Sequence, residues 1–166
     1  SSEKFSHNNG NVETELYDEG IYVGYRYFDT FEVPVRYGFG YGLSYTDFEI
    51  TGCALKAVSA EKIRVTATVR NTGNVSGKEV VQVYASLPGG ILEKEAHRLA
   101  AYAKTNELKP GEAQEVTMEV KMDGLTSYDE KRAAWILESG FYGIWVGNSL
   151  ASAKLCGGIK LDQEVI

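Results

Sequence analysis

The chain has few of the residues that build metal sites or disulfide frameworks. Its 166 residues include two cysteines and two histidines. Neither Cys53 nor Cys156 has a Cys or His neighbour at the spacing of zinc ligands, so the sequence offers no metal site. We expect buried free thiols and favour a reducing, cytoplasmic setting. A bridge between the first and last strands is the open alternative.

Two further absences bear on the partners of the chain. No apolar run approaches the roughly 20 residues that a transmembrane helix needs. The 17 basic and 23 acidic residues give a net charge of −6, and the basic residues are scattered rather than gathered into a stripe. We therefore expect neither a membrane nor a nucleic-acid partner. The chain begins without Met, so we expect it to be cut from a longer protein, whose secretion stays open.

An aromatic and glycine-rich segment over residues 19–48 is the most distinctive part of the sequence. Within it, three glycines alternate with three large apolar residues over residues 38–43. Glycines let the backbone approach its neighbours closely, while large side chains anchor it in apolar pockets. A flexible linker would lack aromatics. We interpret the segment as a packed crossing between domains, and keep a sugar-stacking platform as the alternative use of its rings, which are Tyr22, Tyr25, Tyr27, Phe28, Phe31, Tyr37, Phe39, Tyr41 and Tyr45.

The remaining chain has the alternation of an all-β domain. Residues 63–69 and 116–122 place apolar side chains at every second position, which predicts strands with one buried and one wet face. About seven such strands predict an antiparallel sandwich of the immunoglobulin or fibronectin III kind. Residues 12–29 also read as a strand, because Ile21, Val23, Tyr25 and Tyr27 share one face. Residues 93–98 could form one helical turn, and residues 1–11 a loop or frayed end.

Several motifs together carry a resemblance to a known family. They are Glu19-Gly20-Ile21-Tyr22-Val23-Gly24-Tyr25-Arg26-Tyr27-Phe28-Asp29, Tyr37-Gly38-Phe39-Gly40-Tyr41-Gly42-Leu43-Ser44-Tyr45-Thr46-Asp47-Phe48, Val69-Arg70-Asn71-Thr72-Gly73, Gly77-Lys78-Glu79-Val80-Val81-Gln82-Val83-Tyr84, Leu108-Lys109-Pro110-Gly111-Glu112 and Ser127-Tyr128-Asp129. The chain resembles the C-terminal region of bacterial family-three glycoside hydrolases, the β-glucosidase and β-xylosidase group. The resemblance implies that residues 1–44 end an α/β sandwich domain and connect it to a fibronectin type III-like β-sandwich over residues 45–166.

The resemblance also implies where the chemistry of the parent enzyme resides. Retaining hydrolysis of terminal β-linked glucosyl or xylosyl residues uses two carboxyl groups and no cofactor. In the family both carboxyl groups lie upstream of the aromatic segment, so no catalytic, cofactor-binding or metal residue is expected in this chain. Its expected partners are the upstream catalytic domains and, through the parent, an oligosaccharide or glycoside substrate. The loop over residues 88–98 is a candidate to contact longer substrates.

Other possible sites in the sequence are weak. Six carboxylates were weighed as a catalytic pair and are better explained as solvated groups or turn caps: Asp18, Glu19, Asp29, Glu32, Asp129 and Glu130. Leu43 and Tyr45 stand where a dinucleotide fingerprint would need glycine. His7 and His97 have no nucleophile at a recognisable spacing, and His97 is expected at the surface.

Two alternatives to a bracing segment stay open, a carbohydrate-binding module and a free-standing scaffold domain. The first needs exposed tryptophans, and we expect both Trp135 and Trp145 in the core because they lie in apolar strand-like runs. A homodimer formed by strand exchange is a further possibility.

Overall fold

The computed structural model describes residues 18–166, so the predictions for His7, the frayed end and the start of the 12–29 strand lie outside the described residues. The strands are β1 (Phe48–Ser59), β2 (Lys62–Asn71), β3 (Val80–Ser86), β4 (Arg98–Lys104), β5 (Ala113–Lys121), β6 (Ser127–Asp129), β7 (Ala134–Ile136), β8 (Gly140–Gly147) and β9 (Lys154–Leu161). One α-helix, α1 (Tyr25–Thr30), precedes them, and a 3₁₀ turn covers Asp123–Leu125. Among residues 18–166 no helix is long and apolar enough to cross a bilayer.

Two antiparallel sheets form the sandwich. One sheet has the order β1-β2-β5 and the other the order β4-β3-β8-β9, while β6 and β7 pair as a separate hairpin. The mainly β, antiparallel sandwich predicted from the sequence is confirmed. Strands β2 and β5 show the clearest alternation of apolar and polar residues in the sequence. They pair in continuous register from Lys62 opposite Lys121 to Arg70 opposite Ala113.

The core lies between the two sheets and contains the side chains that the alternation predicts. Val65, Ala67 and Val69 of β2 are completely buried. Val116, Met118 and Val120 of β5 bury the same face of their sheet. The opposing sheet contributes Val81, Val83, Ala85, Tyr142, Ile144 and Val146. Burial of these apolar side chains is the main favourable contribution to the stability of the domain.

Strand β3 differs from β2 and β5 because it is buried on both faces. Its inner face joins the core, and on its outer face Gln82 and Tyr84 are buried as well. A strand that faces solvent on one side would expose these two residues. Something must therefore cover the outer face of β3, and the aromatic segment does so.

The prediction of a strand over residues 12–29 is wrong for its described part. Residues 19–24 form turns, with a positive φ of 56° at Gly20 and of 60° at Gly24, and α1 follows directly. The helix is selected by contacts with distant residues rather than by its own apolar pattern, because local propensity is a weak preference that tertiary contacts override. The predicted helical turn over residues 93–98 is also wrong, since those residues form an irregular segment leading into β4.

The favoured prediction of two free thiols is wrong as well. Cys53 and Cys156 form a disulfide, with their Cα atoms 5.8 Å apart. Cys53 lies on β1 and Cys156 on β9, so the bond joins an edge of one sheet to an edge of the other, as the alternative reading required. The expectation of free thiols favoured a reducing compartment. Disulfides form and persist mainly in oxidising compartments. The sequence argument for a cytoplasmic location thereby loses its basis.

Candidate functional site

Helix α1 is fixed to the segment that enters β4. The hydroxyl of Thr30 accepts a hydrogen bond of 2.9 Å from the backbone N–H of Ala96. The phenol oxygen of Tyr25 accepts another of 2.9 Å from the N–H of Leu99. These bonds span 66 and 74 residues of sequence. Both hydrogen bonds use backbone N–H groups at the start of β4, which is an edge strand. Helix α1 therefore caps β4, and the same bonds fix the position of α1.

A third contact pairs the helix with a histidine. Nδ1 of His97 lies 2.9 Å from Oδ2 of Asp29, and the His97 ring meets the edge of Trp145 with centroids 5.2 Å apart. Both partners of the Asp29–His97 pair are partly buried. Asp29 is therefore a structural hydrogen-bond partner, as its position had suggested, although it lies on a helix and not at a strand end. His97 is less exposed than the sequence indicated.

Glu95 is the buried charge at this junction. Its carboxylate accepts two hydrogen bonds from Arg98, at 2.8 and 3.0 Å, and Nε of Arg26 lies 3.3 Å away. Burial opposes its negative charge, but the Arg98 hydrogen bonds and the positive charges of Arg98 and Arg26 outweigh that effect, so the pKa of Glu95 is lowered. A carboxyl group held ionised in this way is an anchor for α1 through Arg26, and a poor proton donor.

Glu138 anchors the loop over residues 88–94 in the same manner. Its two oxygens accept the backbone N–H of Ile91 at 2.8 Å and of Leu92 at 3.2 Å, and they contact the ammonium group of Lys94. Burial opposes the charge, yet the hydrogen bonds from Lys94 and the two amides prevail, and the pKa of Glu138 is lowered. Sequence reasoning missed both glutamates. The Glu95-x-x-Arg98 spacing was a possible signal for the first, whereas Glu138 gives none.

Among the six carboxylates weighed from the sequence, Glu19 stands apart, because its Oε2 atom is buried without a hydrogen-bond partner among the described residues. Asp29 pairs with His97, as described above. Asp129 accepts the backbone N–H of Lys131 at 2.9 Å and so stabilises the β6–β7 turn, as a turn cap does. Asp18, Glu32 and Glu130 are exposed. The absence of catalytic residues from the chain stays a prediction.

Residues 39 and 40 of the aromatic segment lie against the outer face of β3. Nε2 of Gln82 donates to the carbonyl oxygen of Gly40 at 3.2 Å and to that of Asn148 at 2.7 Å, while the Tyr84 hydroxyl donates to Oε1 of the same glutamine. A Cβ on Gly40 would lie 2.0 Å from that oxygen, and the backbone φ of 78° also favours glycine. The close backbone approach predicted for this glycine is thus present.

Phe39 provides the apolar part of the same contact. Its ring stacks on Tyr25 of α1 with centroids 4.0 Å apart and meets the edge of Tyr84 at 6.4 Å. Its carbonyl oxygen accepts the N–H of Leu150 at 3.0 Å. Burial raises the pKa of the Tyr84 hydroxyl, which keeps it protonated as the donor that this network requires. One side of the aromatic segment is therefore fully engaged with the sandwich.

The other side of the segment is open. We call the side chains of Tyr37, Tyr41, Leu43 and Tyr45 the aromatic face. Leu43 is 92% exposed and Tyr45 completely exposed, and the Tyr37 and Tyr41 rings stack on each other with centroids 5.4 Å apart. Beside the face lies a hollow of about 580 Å³ with walls that include Phe28, Val33, Pro34 and Val35. Several large exposed apolar side chains within one short segment make it a candidate interaction site.

A second exposed aromatic group lies on the β6–β7 hairpin. Trp135 is 62% exposed, and its ring centroid is 5.2 Å from that of Tyr128, the residue opposite it. The prediction that Trp135 lies in the core is wrong. Trp145 does pack into the structure, where its Nε1 donates to the hydroxyl of Ser86 at 3.0 Å.

Comparison with known proteins identifies relatives over most of the chain. The fibronectin type III-like domain family matches residues 79–150. A β-glucosidase from Ruminococcus albus is 43% identical over 162 residues, covering 94% of this chain and 17% of that protein. An exo-alpha-(1->6)-L-arabinopyranosidase from Bifidobacterium longum is 42% identical over 148 residues, 89% of this chain and 19% of the relative.

Solved structures give the same result. Beta-glucosidase 3B from Thermotoga neapolitana superposes with a TM-score of 0.83 at 43% identity, covering 90% of this chain and 20% of that one. A GH3 β-glucosidase from Bifidobacterium adolescentis superposes with a TM-score of 0.82 at 37% identity, over 88% of this chain and 22% of its own. The chain thus spans about a fifth of the length of the relatives it matches.

Proposed function

Because this chain belongs to the family-three glycoside hydrolases and carries their fibronectin type III-like domain, we propose that it is the structural C-terminal part of such an enzyme. The parent is a retaining hydrolase that removes terminal β-linked glucosyl or xylosyl residues. This segment braces the catalytic domains and supplies neither of the two carboxyl groups that the reaction needs. In support, Glu95 and Glu138 are each committed to holding a neighbouring segment in place.

The aromatic face is the observation that carries the proposal. It is built on a segment that is pinned to β3 on its other side, so it is presented rigidly and not on a loose tail. A rigid apolar surface loses little conformational entropy when a partner covers it. The upstream part of the same polypeptide is the partner proposed for it, since the relatives are about five times longer than this chain.

The proposal includes a division of the chain. Residues 1–44 end the preceding α/β sandwich domain and form the connection, and residues 45–166 form the fibronectin type III-like sandwich. The start of β1 at Phe48 and the family match over residues 79–150 support the position of the second part. The sugar specificity belongs to the upstream domains, because relatives of similar identity are named as a β-glucosidase and as an arabinopyranosidase.

Split-protein complementation tests the bracing role. The upstream portion of the parent is expressed without this chain, and the 166-residue chain is supplied separately. We expect hydrolysis of an aryl β-glucoside or β-xyloside only in the mixture, with none from the chain alone. Replacing Leu43 and Tyr45 by Asp should prevent the recovery of activity, because two carboxylates would then have to be buried against the upstream domains.

The matched control replaces Tyr102 by Asp, since Tyr102 is an exposed aromatic residue of β4 outside the aromatic face. That variant should restore activity like the unmodified chain. Full activity of the upstream portion by itself would refute the bracing role. Hydrolysis by the chain alone would refute the assignment of both carboxyl groups to other domains.

A further inference from the structure

The structure assigns a second role to the β6–β7 hairpin: we propose that Tyr128 and Trp135 form a binding site for β-linked oligosaccharides, away from the aromatic face. The choice of sugar rests on the proposed function, whereas the site itself rests on the geometry of the hairpin. Four features carry it: the exposure of the two rings, the rigidity of their support, the cleft beside them, and the chemistry of its walls.

The exposure of the two rings follows from the pairing of the hairpin. Tyr128 lies directly opposite Trp135, and Ser127 lies opposite Ile136. Ile136 is buried in the sandwich, so the alternation of side chains turns the neighbouring pair outward. Two large rings are thereby placed side by side on the solvent face, 47% and 62% exposed. A tryptophan exposed to water does not contribute the stabilisation that its burial would give. A ligand that covers the ring would account for its exposure.

The hairpin is held in place on several sides. Arg132 pairs with Asp129, at 3.3 Å, and with Glu164 near the end of the chain. At the start of the hairpin, Nη1 of Arg98 donates to the carbonyl oxygen of Thr126 at 2.6 Å. Just beyond it, Leu137 exchanges two backbone hydrogen bonds with Val165. The rings therefore form a fixed platform, and a fixed platform binds with a smaller entropy cost than a mobile one.

The platform opens onto a cleft of about 1240 Å³. Its lining also includes Ile91, Leu92 and Glu93, from the loop that Glu138 holds in place. Known small-molecule pockets are generally of about 300–1,000 Å³. The cleft is thus large enough for more than one pyranose ring.

The walls of the cleft combine rings with hydrogen-bonding groups. Arg26, Asp123 and Lys131 line it together with Trp135. A β-linked glucosyl or xylosyl unit has equatorial hydroxyls around its rim and C–H groups on both faces, so it needs flat apolar surface and several donors and acceptors at once. The hollow beside the aromatic face is walled mainly by apolar side chains, which suits a protein domain better. This difference separates the two surfaces.

Indole N–H signals in ¹H–¹⁵N spectra of the 166-residue chain test the site, because the chain has two tryptophans and only Trp135 is on the platform. Cellotetraose and xylotetraose are the probes. We expect saturable shifts of the Trp135 signal with no change at Trp145, whose Nε1 is bonded to Ser86. Trp135→Ala identifies the signal, and calorimetry should show at least tenfold weaker binding, which corresponds to about 1.4 kcal/mol.

Tyr102→Ala is the matched control and should bind like the unmodified chain, because Tyr102 is 70% exposed but lies on β4. Tyr128→Ala should weaken binding in the same direction as Trp135→Ala. Absence of saturable binding, or equal binding by the Trp135→Ala variant, would overturn the proposal and leave the hairpin as a further contact for the upstream domains. The assay requires no hydrolysis, so its failure is separate from a failure of the complementation experiment.

Discussion

Removing the Cys53–Cys156 disulfide should lower the free energy of unfolding of this domain substantially. The bond closes a loop of 103 residues between β1 and β9. A cross-link over about 100 residues lowers the conformational entropy of the unfolded chain, which in the chain-entropy model stabilises the folded state by about 4.7 kcal/mol. Removing a native disulfide from a small domain commonly lowers the free energy of unfolding by about 2–5 kcal/mol. The size of the effect follows from the wide separation of the two cysteines along the chain.

The assay is urea unfolding of the chain with and without reductant, alongside the Cys53→Ala/Cys156→Ala variant. We expect the free energy of unfolding to fall by about 2–5 kcal/mol on reduction. The double variant should resemble the reduced protein, and reductant should not alter its stability. This control separates loss of the bond from any general effect of the reductant.

A thiol count decides the structural premise independently. Under denaturing conditions without reductant, the chain should present no reactive thiol, and after reduction it should present two. Two thiols before reduction in protein prepared under oxidising conditions would refute the bond. If complete reduction left the free energy of unfolding unchanged, the argument that the bond acts by lowering the entropy of the unfolded chain would be refuted.

Three further predictions concern the aromatic segment, the buried glutamate and assembly. Gly40→Ala should lower the free energy of unfolding by about 1–3 kcal/mol, because its Cβ would collide with Gln82 and because φ is positive at this position. The control in the same urea assay is Gly42→Ala, whose Cβ meets no atom within 4 Å and which should be nearly neutral. The pKa of Glu95 is lowered in the folded state, so its contribution is present above the unfolded pKa of about 4.3 and is lost as the pH falls through the folded value. Unfolding measured against pH should therefore show Glu95→Gln less stable than the unmodified chain at neutral pH, with the difference shrinking in acid; a constant difference would contradict the linkage. Strand exchange predicts a concentration-dependent dimer in sedimentation equilibrium, and a monomer at all concentrations would exclude it.

The strands were predictable where one face is buried and the other wet. In β2 and β5 the more buried and the less buried positions alternate, so apolar residues recur at every second position of the sequence. The same rule explains the failure at Trp135. The apolar run from Trp135 to Leu137 suggested that all of it lies in the core, but alternation within the hairpin buries Ile136 and turns Trp135 outward. An apolar run in a strand places only every second side chain on a given face.

Helix α1 and the role of Glu138 were not predictable by local reasoning. Residues 21–27 fit a strand pattern, and what selects α1 instead is a set of bonds to residues 66–74 positions away. Glu138 gives no local signal, because its cation and amide partners lie 44–47 positions earlier. Such pairs become visible only when the fold brings the loops together.

The contacts of the aromatic segment also bear on where the proposed parent protein can be divided. The proposed division assigns residues 1–44 to the preceding domain, yet Phe39 and Gly40 cover the outer face of β3, and α1 caps the start of β4. A fragment beginning at residue 45 would leave the buried Gln82 amide without its Gly40 partner and expose the Tyr84 ring that Phe39 covers. Unpaired polar groups and newly exposed rings both destabilise a domain. The physical unit therefore includes α1 and the aromatic segment, and a complementation experiment that splits the parent after residue 44 would fail for reasons unrelated to bracing.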